Sequence, residues 1–288
     1  MKTLVLGSNG QLGQALAYTV PDRANIISFD LPELDITNAD ALSEVCRRVK
    51  PDVIVNAAAY TAVDRAESEI ELATATNVDG PRNIAKAALD VGARLIHVST
   101  DFVFDGKAST PYKSDAAANP LSVYGRTKRD GEVTILDAMP DTAAVVRTAW
   151  LYSKTGGNFV KTMLQLMNER DELNVVEDQR GTPTWANSLA RTVWAFACAP
   201  ELCGIFHWTD AGETSWHEFA LAIQQEALSM GLLDKAIQIH AIRTEDSPTA
   251  AARPRYSVLD CSATIAALDL HPAEWRANLH RMLKGMTT

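Results

Sequence analysis

A doubly wound, Rossmann-like α/β fold, with helices on both faces of a parallel sheet, is predicted by three features of this 288-residue chain. Short runs of residues alternate with helix-length segments, the runs are apolar nearly throughout, and a glycine cluster joins the first run to the first helix. Strands buried on both faces read as continuous apolar runs, and parallel neighbours need a crossover between them. Ligands of such sheets lie beyond the carboxyl ends of the strands.

The first run, Thr3 to Leu6, ends at Gly7, and a helix is expected from Gln11. The second, Ile26 to Phe29, ends at Asp30. A helical segment around 38–49 places Leu42, Val45, Cys46 and Val49 on one face and leads to the third run, 53–56. Helices over about 79–90 and 122–138 precede the fourth and fifth runs, 94–99 and 143–148. Beyond residue 150 the pattern loosens. Helices are expected at 159–169, 185–197 and 215–230, the last with a capping signal in Thr214, Ser215 and Glu218. Residues 175–176 and 205–208 suggest short strands. Residues 1–150 are therefore expected to form a Rossmann domain. Residues 151–288 should form mainly a smaller substrate-binding lobe, with some segments returning to the sheet.

Composition narrows the function. Apolar residues are 47% and charged residues 22%, which excludes a mostly disordered chain. A net charge of -9 argues against nucleic acid as a partner. The sequence contains no apolar stretch of membrane-spanning length. Cys46, Cys198, Cys203 and Cys261 lack disulfide or C-x-x-C spacing, and the six histidines are dispersed, so no metal site is expected. His97, inside an apolar run, reads as a satisfied interior histidine, and most of the tryptophans, all in the second half, as packing residues. A cytoplasmic protein without membrane or nucleic-acid partners is the base expectation.

Gly7, Gly10 and Gly13 stand between a strand and a helix, where a dinucleotide pyrophosphate meets free N–H groups. Gly7 permits the tight turn, Gly10 the approach of the phosphates, and Gly13 close helix–strand packing. Asp30, 23 residues after Gly7, is placed to meet the ribose hydroxyls. A carboxylate there favours NADH over NADPH, though either remains open. Asp35 and Ile36 are expected to border the adenine, and Ala58, Ala59 and Tyr60 to line the groove.

Tyr124 and Lys128 are one turn apart on one helix face. A neighbouring ammonium lowers a phenol's pKa from about 10, and such a phenol can pass a proton to a carbonyl oxygen while hydride reaches the carbon. Thr100, closing the fourth run, is placed to bond the same oxygen. Arg253 and Arg255 are candidates for substrate phosphates, or equally solvated arginines.

These motifs resemble the extended short-chain dehydrogenase/reductase family, and within it the reductases of dTDP-linked 4-keto sugars. The resemblance spans GSNGQLG at 7–13, VIVNAAAYTAVDRAE at 53–67, STDFVFDG at 99–106, NPLSVYGRTK at 119–128, RTAWLYSKTGGNFVKTM at 147–163, DQRGTPT at 178–184 and GIFHWTDAG at 204–212. It implies a catalytic set of Thr100, Tyr124 and Lys128. It also implies NADPH or NADH contacts at Gly10, Gln11, Leu12, Asp30, Asp35, Ile36, Ala58, Ala59, Tyr60, Tyr124 and Lys128. The sugar would meet Thr100, Asp101 and Trp150, and the implied reaction reduces the 4-keto group of dTDP-4-dehydro-β-L-rhamnose. Related dehydratases carry Asp-Glu after the threonine; here Asp101-Phe102 follows, which favours simple reduction. Some relatives dimerise through magnesium held by glutamates, one of them on the first helix. Gln14-Ala15-Leu16 offers no acid there, so a monomer or a dimer without a metal bridge is expected. A reductase or epimerase of another nucleotide sugar, and a non-catalytic subunit with the same fold, are the alternatives.

Overall fold

Residues 1–287 are described by the computed structural model. Its strands are β1 (Lys2–Leu6), β2 (Asn25–Phe29), β3 (Val53–Asn56), β4 (Arg94–Thr100), β5 (Ala143–Thr148), β6 (Leu151–Tyr152), β7 (Glu172–Val176), β8 (Arg180–Gly181), β9 (Thr184–Trp185), β10 (Gly204–His207), β11 (Thr214–Ser215) and β12 (Gln238–Ile242). Six of them form one parallel sheet in the order β10-β5-β4-β3-β1-β2. The chain leaves β1 toward one edge and returns from β3 toward the other. The crevice where a ligand of an open sheet binds therefore opens between the ends of β1 and β3.

Helices α1 (Gln11–Tyr18), α2 (Ala39–Val49), α3 (Val63–Ala66), α4 (Ile70–Thr74), α5 (Gly80–Val91), α6 (Val123–Ala138), α7 (Phe159–Glu169), α8 (Ala186–Ala197), α9 (Trp216–Ser229), α10 (Ser262–Leu268) and α11 (Trp275–Lys284) complete the fold, with a π-helical stretch at Ala75–Asp79. Side chains alternate across the sheet with period two. Leu4, Leu6, Ile54 and Leu95 pack under α2, α5 and α6, joining Leu42, Ile84 and Ile135. Val5, Val53, Val55 and Ile96 face the other way, onto Leu12 and Leu16 of α1 and Leu189, Val193 and Phe196 of α8. Both faces are covered, which is why these runs are apolar throughout.

Helix starts follow local chemistry. Asn38, Ser122 and Asn158 accept hydrogen bonds from first-turn N–H groups of α2, α6 and α7. Ser215 and Glu218 form a reciprocal capping box on α9. The second half divides its contribution. Strand β10 and helix α8 extend the parallel sheet, while α7, α9 and α11 share a core of Val160, Phe219, Ile223 and Leu279. The parallel pair β7–β12 lies against that core through Leu173 and Val175. Among the described residues no helix is long and apolar enough to cross a membrane.

One buried ion pair fastens α6 to the sheet. Glu132 accepts two hydrogen bonds from Arg147 on β5, at 2.8 and 2.7 Å, with both side chains essentially inaccessible. Burial alone pushes the Glu132 carboxyl up, but the Arg147 bonds and charge hold it below its usual range. Breaking a buried pair strands the surviving charge, which costs about 3–5 kcal/mol. Glu132→Gln is therefore expected to lower unfolding stability by about that amount. Urea denaturation of the two proteins side by side checks it.

Candidate active site

Strand β1 runs straight into the glycine turn. Gly7 has φ of +87°, and a Cβ there would lie 2.5 Å from the Ala58 backbone nitrogen. The turn thus touches the loop after β3, and only glycine tolerates both the angle and the approach. At Gly13 a Cβ would meet the Gly7 carbonyl at 2.2 Å, so α1 can start this close to the turn only without a side chain. Gly10 is the N-cap and contributes no capping side chain, and the first turn of α1 contains no acid. The N–H groups at Gln11, Leu12 and Gly13 thus meet no competing carboxylate from their own turn. A helix start of this kind suits a pyrophosphate.

Asp30, at the end of β2, accepts hydrogen bonds from the backbone N–H of Asn9 and of Leu31, both at 2.7 Å. It therefore braces the glycine turn from the side. Asp35 accepts from the backbone and hydroxyl of Thr37, and Asn83 holds the carbonyls of Ile36 and Thr37. Ala58 donates to the Asn56 side chain, and Ala59 follows it, half-buried. Tyr60 is held through its backbone by Asn77, and its phenol donates to Glu69 at 2.6 Å. These segments follow the carboxyl ends of the adjacent parallel strands β2, β1 and β3, where ligands of open sheets bind.

The remaining groups converge from β4 and α6. Thr100 ends β4, donates to Asp101 at 3.1 Å and accepts from the backbone N–H of Phe102. Tyr124 lies in the first turn of α6, buried edge-on against Phe102 at 5.5 Å between centroids. A Cβ on Gly125 would sit 2.2 Å from the Phe102 carbonyl, so a glycine there lets α6 lie against this loop. Burial, and to a smaller extent the Asp101 charge, pushes the Tyr124 phenol up to about 12, against a hydrogen bond with Thr100 that lowers it. Asp101 is itself pushed up to about 6 by burial, with Ser257 and Thr100 opposing.

Lys128 stands one turn further along α6, fully buried, and its ammonium partner is not the phenol. Its Nζ lies 2.7 Å from the Val98 carbonyl and 3.3 Å from His97 Nε2. Burial pulls its pKa down to about 8, while Glu132 works in the opposite direction. The sequence-based expectation that Lys128 lowers the Tyr124 pKa is thus corrected: in this arrangement burial dominates and Tyr124 is a firmly protonated phenol.

Two other candidates have partners of their own. Arg253 forms a two-pronged pair with Asp64, at 2.6 and 3.1 Å, and its hydrogen bond holds the Asp64 carboxyl below its usual range. A phosphate reaching Arg253 would compete with that carboxylate. Trp150 has φ of +46° and stacks on Trp216 with ring centroids 3.5 Å apart and planes within 5°. Gln11 turns its side-chain oxygen to Ser153 and Asn158, tying the glycine turn to the loop before α7. A cavity of about 630 Å³ is lined by Lys113, Asp210, Glu213, Asp260 and Cys261 among others. With three carboxylates to one lysine it is a poor setting for a diphosphate.

Sequence reasoning missed Asn56, Asn77, Glu132 and Arg147. Glu132 had a signal, standing four residues after Lys128 on the same face; Asn56, polar at the end of an apolar run, had a weaker one. Arg147, charged within the apolar run 143–148, had a similarly weak one, and Asn77 had none, because its partners Tyr60 and Thr127 are distant in the chain.

The family model described as RmlD substrate binding domain matches residues 1–288. A dTDP-4-dehydrorhamnose reductase of Aggregatibacter actinomycetemcomitans is 41% identical over 285 residues, covering 96% of this chain and 97% of that protein. The crystal structure of a dTDP-4-dehydrorhamnose reductase from Clostridium acetobutylicum superposes with a TM-score of 0.93 at 39% identity, covering all of both chains. That of Bacillus anthracis, in complex with NADP, gives 0.92 at 36% identity over 99% of each.

The raised Asp101 pKa carries a pH signature. A carboxyl with pKa about 6 folded and 3.8 unfolded binds its proton more tightly in the native state. It therefore favours folding below pH 4, and that contribution is lost as pH rises through 6. Asp101→Asn is expected to gain on the parent protein between pH 4.5 and 7.5, by about 2 kcal/mol. Denaturant midpoints at the two pH values test this.

Proposed function

This chain belongs to the RmlD family, and on that footing we propose that it reduces the 4-keto group of dTDP-4-dehydro-β-L-rhamnose to give dTDP-β-L-rhamnose, with NADPH or NADH as reductant. The observation that carries the reading is the meeting of a threonine hydroxyl, a protonated phenol and a lysine at the ends of β4 and α6, beside a glycine turn suited to phosphates.

The bound reductant would supply a hydride to the sugar C4. The chain's part is the other half of the reaction. The C4–O4 π pair becomes an O–H bond, and the proton comes from the Tyr124 hydroxyl, whose O–H bond breaks. The phenolate left behind recovers a proton from solvent. With its pKa pushed to about 12, Tyr124 carries a proton to give at neutral pH but is a weaker acid than a free phenol. Thr100 would donate to the same oxygen and fix the ketone's direction. Gly7, Gly10, Gln11, Leu12 and Gly13 would hold the pyrophosphate, with Asp30, Asp35, Ile36 and Ala58 to Tyr60 along the nucleoside and Lys128 near the nicotinamide ribose. On the substrate side Asp101 and Trp150 would border the sugar, and Arg253 would reach the diphosphate.

The outer face of α1 supports association, if any, without a metal bridge. A groove of about 330 Å³ beside Gln14 is lined by Lys154, Arg191 and Arg281, with no carboxylate among its lining residues. A divalent cation needs oxygen anions, and three cationic neighbours oppose it. Chelation with EDTA is expected to leave the sedimentation coefficient unchanged.

Turnover is the deciding test. With dTDP-4-dehydrorhamnose and NADPH or NADH, the purified chain is expected to oxidise the cofactor stoichiometrically and release dTDP-rhamnose. Tyr124→Phe should lose about 10²–10⁴ in kcat while binding the dinucleotide with little change. Retained turnover in that variant would remove Tyr124 from the donor's role.

A further inference from the structure

Tyr124 is the second residue of α6, and the segment after β3 holds it in two ways. Its side chain belongs to a small apolar cluster with Ala66, Ala73 and Val123, against which Tyr60, Val63 and Phe102 pack. Val63 and Ala66 are three residues apart on α3, so they share one face of that short helix. The next residue, half-buried Glu67, makes the second contact. Its Oε1 accepts from the backbone N–H of Val123 at 2.7 Å, across 56 residues of chain.

The first N–H groups of a helix have no partner within it. In α6 the Ser122 hydroxyl accepts from the Gly125 N–H at 3.1 Å, and the first turn has no acid of its own. Glu67 therefore brings from another segment both an acceptor for the Val123 N–H and the negative charge that a helix start favours. The two bonds stand on either side of Tyr124. Its carbonyl is held as well, accepting from the Thr127 hydroxyl at 3.1 Å, and Thr127 accepts in turn from Asn77. The backbone that bears the phenol is thus fixed before and after the side chain.

We propose that Glu67 is a positioning residue for the proton transfer: by holding the Val123 N–H it fixes the first turn of α6, and with it the direction of the Tyr124 hydroxyl. The proposal rests on the reading of Tyr124 as the proton donor. Glu132 lies roughly two turns further along α6, and its grip on β5 leaves the start of the helix, where helices fray, unsecured. Glu67 secures that start. Its helix, α3, follows residues 58–60, which would line the dinucleotide, so the donor is registered against the segment beside the reductant. The hydrogen bond, not the charge, does this, and an amide carbonyl in the same place would serve.

Glu67→Ala and Glu67→Gln, compared with the parent as full-length folded chains, separate the bond from the charge. In NMR spectra the Val123 amide proton is expected downfield in the parent and in Glu67→Gln, and upfield in Glu67→Ala. The Tyr124 ring resonances should shift or broaden in Glu67→Ala alone. With dTDP-4-dehydrorhamnose and NADPH, Glu67→Ala is expected to lose about tenfold in kcat with KM values within about twofold, while Glu67→Gln stays within about threefold of the parent. The solvent deuterium isotope effect on kcat should rise in Glu67→Ala, because a misdirected phenol slows proton transfer relative to the other steps. A merely structural loss leaves that ratio unmoved. An unchanged isotope effect or unmoved Tyr124 ring resonances in Glu67→Ala, or a Glu67→Gln as impaired as Glu67→Ala, would overturn the idea. If the parent itself does not turn over the sugar, the reading of the reaction falls, and the Val123 and Tyr124 resonances alone decide whether Glu67 sets the phenol.

Discussion

A carboxylate and a guanidinium meet out of reach of water where α6 crosses β5. The pair has little net value as a source of stability, since removing two ions from water costs several kcal/mol each. Its value lies in position. Glu132, Lys128 and Tyr124 are successive i, i+4 neighbours on one face, so fixing the rotation of α6 at Glu132 also fixes where the lysine and phenol point. The same helix is capped at its start by Ser122 and drawn against the loop after β4 at Gly125. A helix held at both ends by directional contacts cannot trade one face for another. Proton donors need that constraint, because a misplacement of an ångström is costly to rate.

The other half of the constraint is β4. At its start, Arg94 donates to the carbonyls of Phe196, Ala199 and Leu202, where α8 ends. The Phe196 and Ala199 carbonyls also accept from the backbone N–H groups of Ala199 and Leu202, and a cation there meets the negative end of the helix. At the other end the strand delivers Thr100 and Asp101, and between them it carries His97. One strand thus anchors the second half of the chain to the sheet and presents the polar groups facing α6.

Much of this was legible before any coordinates. The first five strands of the main sheet read as apolar runs, whereas β10 gave a weaker signal and the largely exposed β12 gave none, and the helix boundaries at Asn38, Ser122 and Ser215 follow from side chains that satisfy first-turn N–H groups. The spacing of Gly7, Gly10 and Gly13, of Tyr124 and Lys128, and the position of Thr100 pointed to one crevice. What the sequence withheld was the set of long-range partners. Lys128 reads as a cation beside a phenol when only the i, i+4 relation is known. Its bonds to Val98 and His97 depend on how deeply α6 sinks onto β4, which no local pattern records. Arg253 likewise reads as a free cation until Asp64 appears beside it from a segment far earlier in the chain.

The hydrogen bonds from Ser153 and Asn158 to the side chain of Gln11 have a bearing on how such enzymes are recombined. Gln11 is the first residue of α1, and its partners flank the entry to α7. A chimera joined near residue 150 would sever no strand of the parallel sheet up to β5, yet it would replace both partners of that glutamine. The transplanted lobe would then have to supply its own amide or hydroxyl at two positions, or the nucleotide end of the molecule would lose its brace. Interchangeable parts in this architecture are therefore delimited by the side chains that straddle the seam, and a graft has to carry residues 153–158 and Gln11 together.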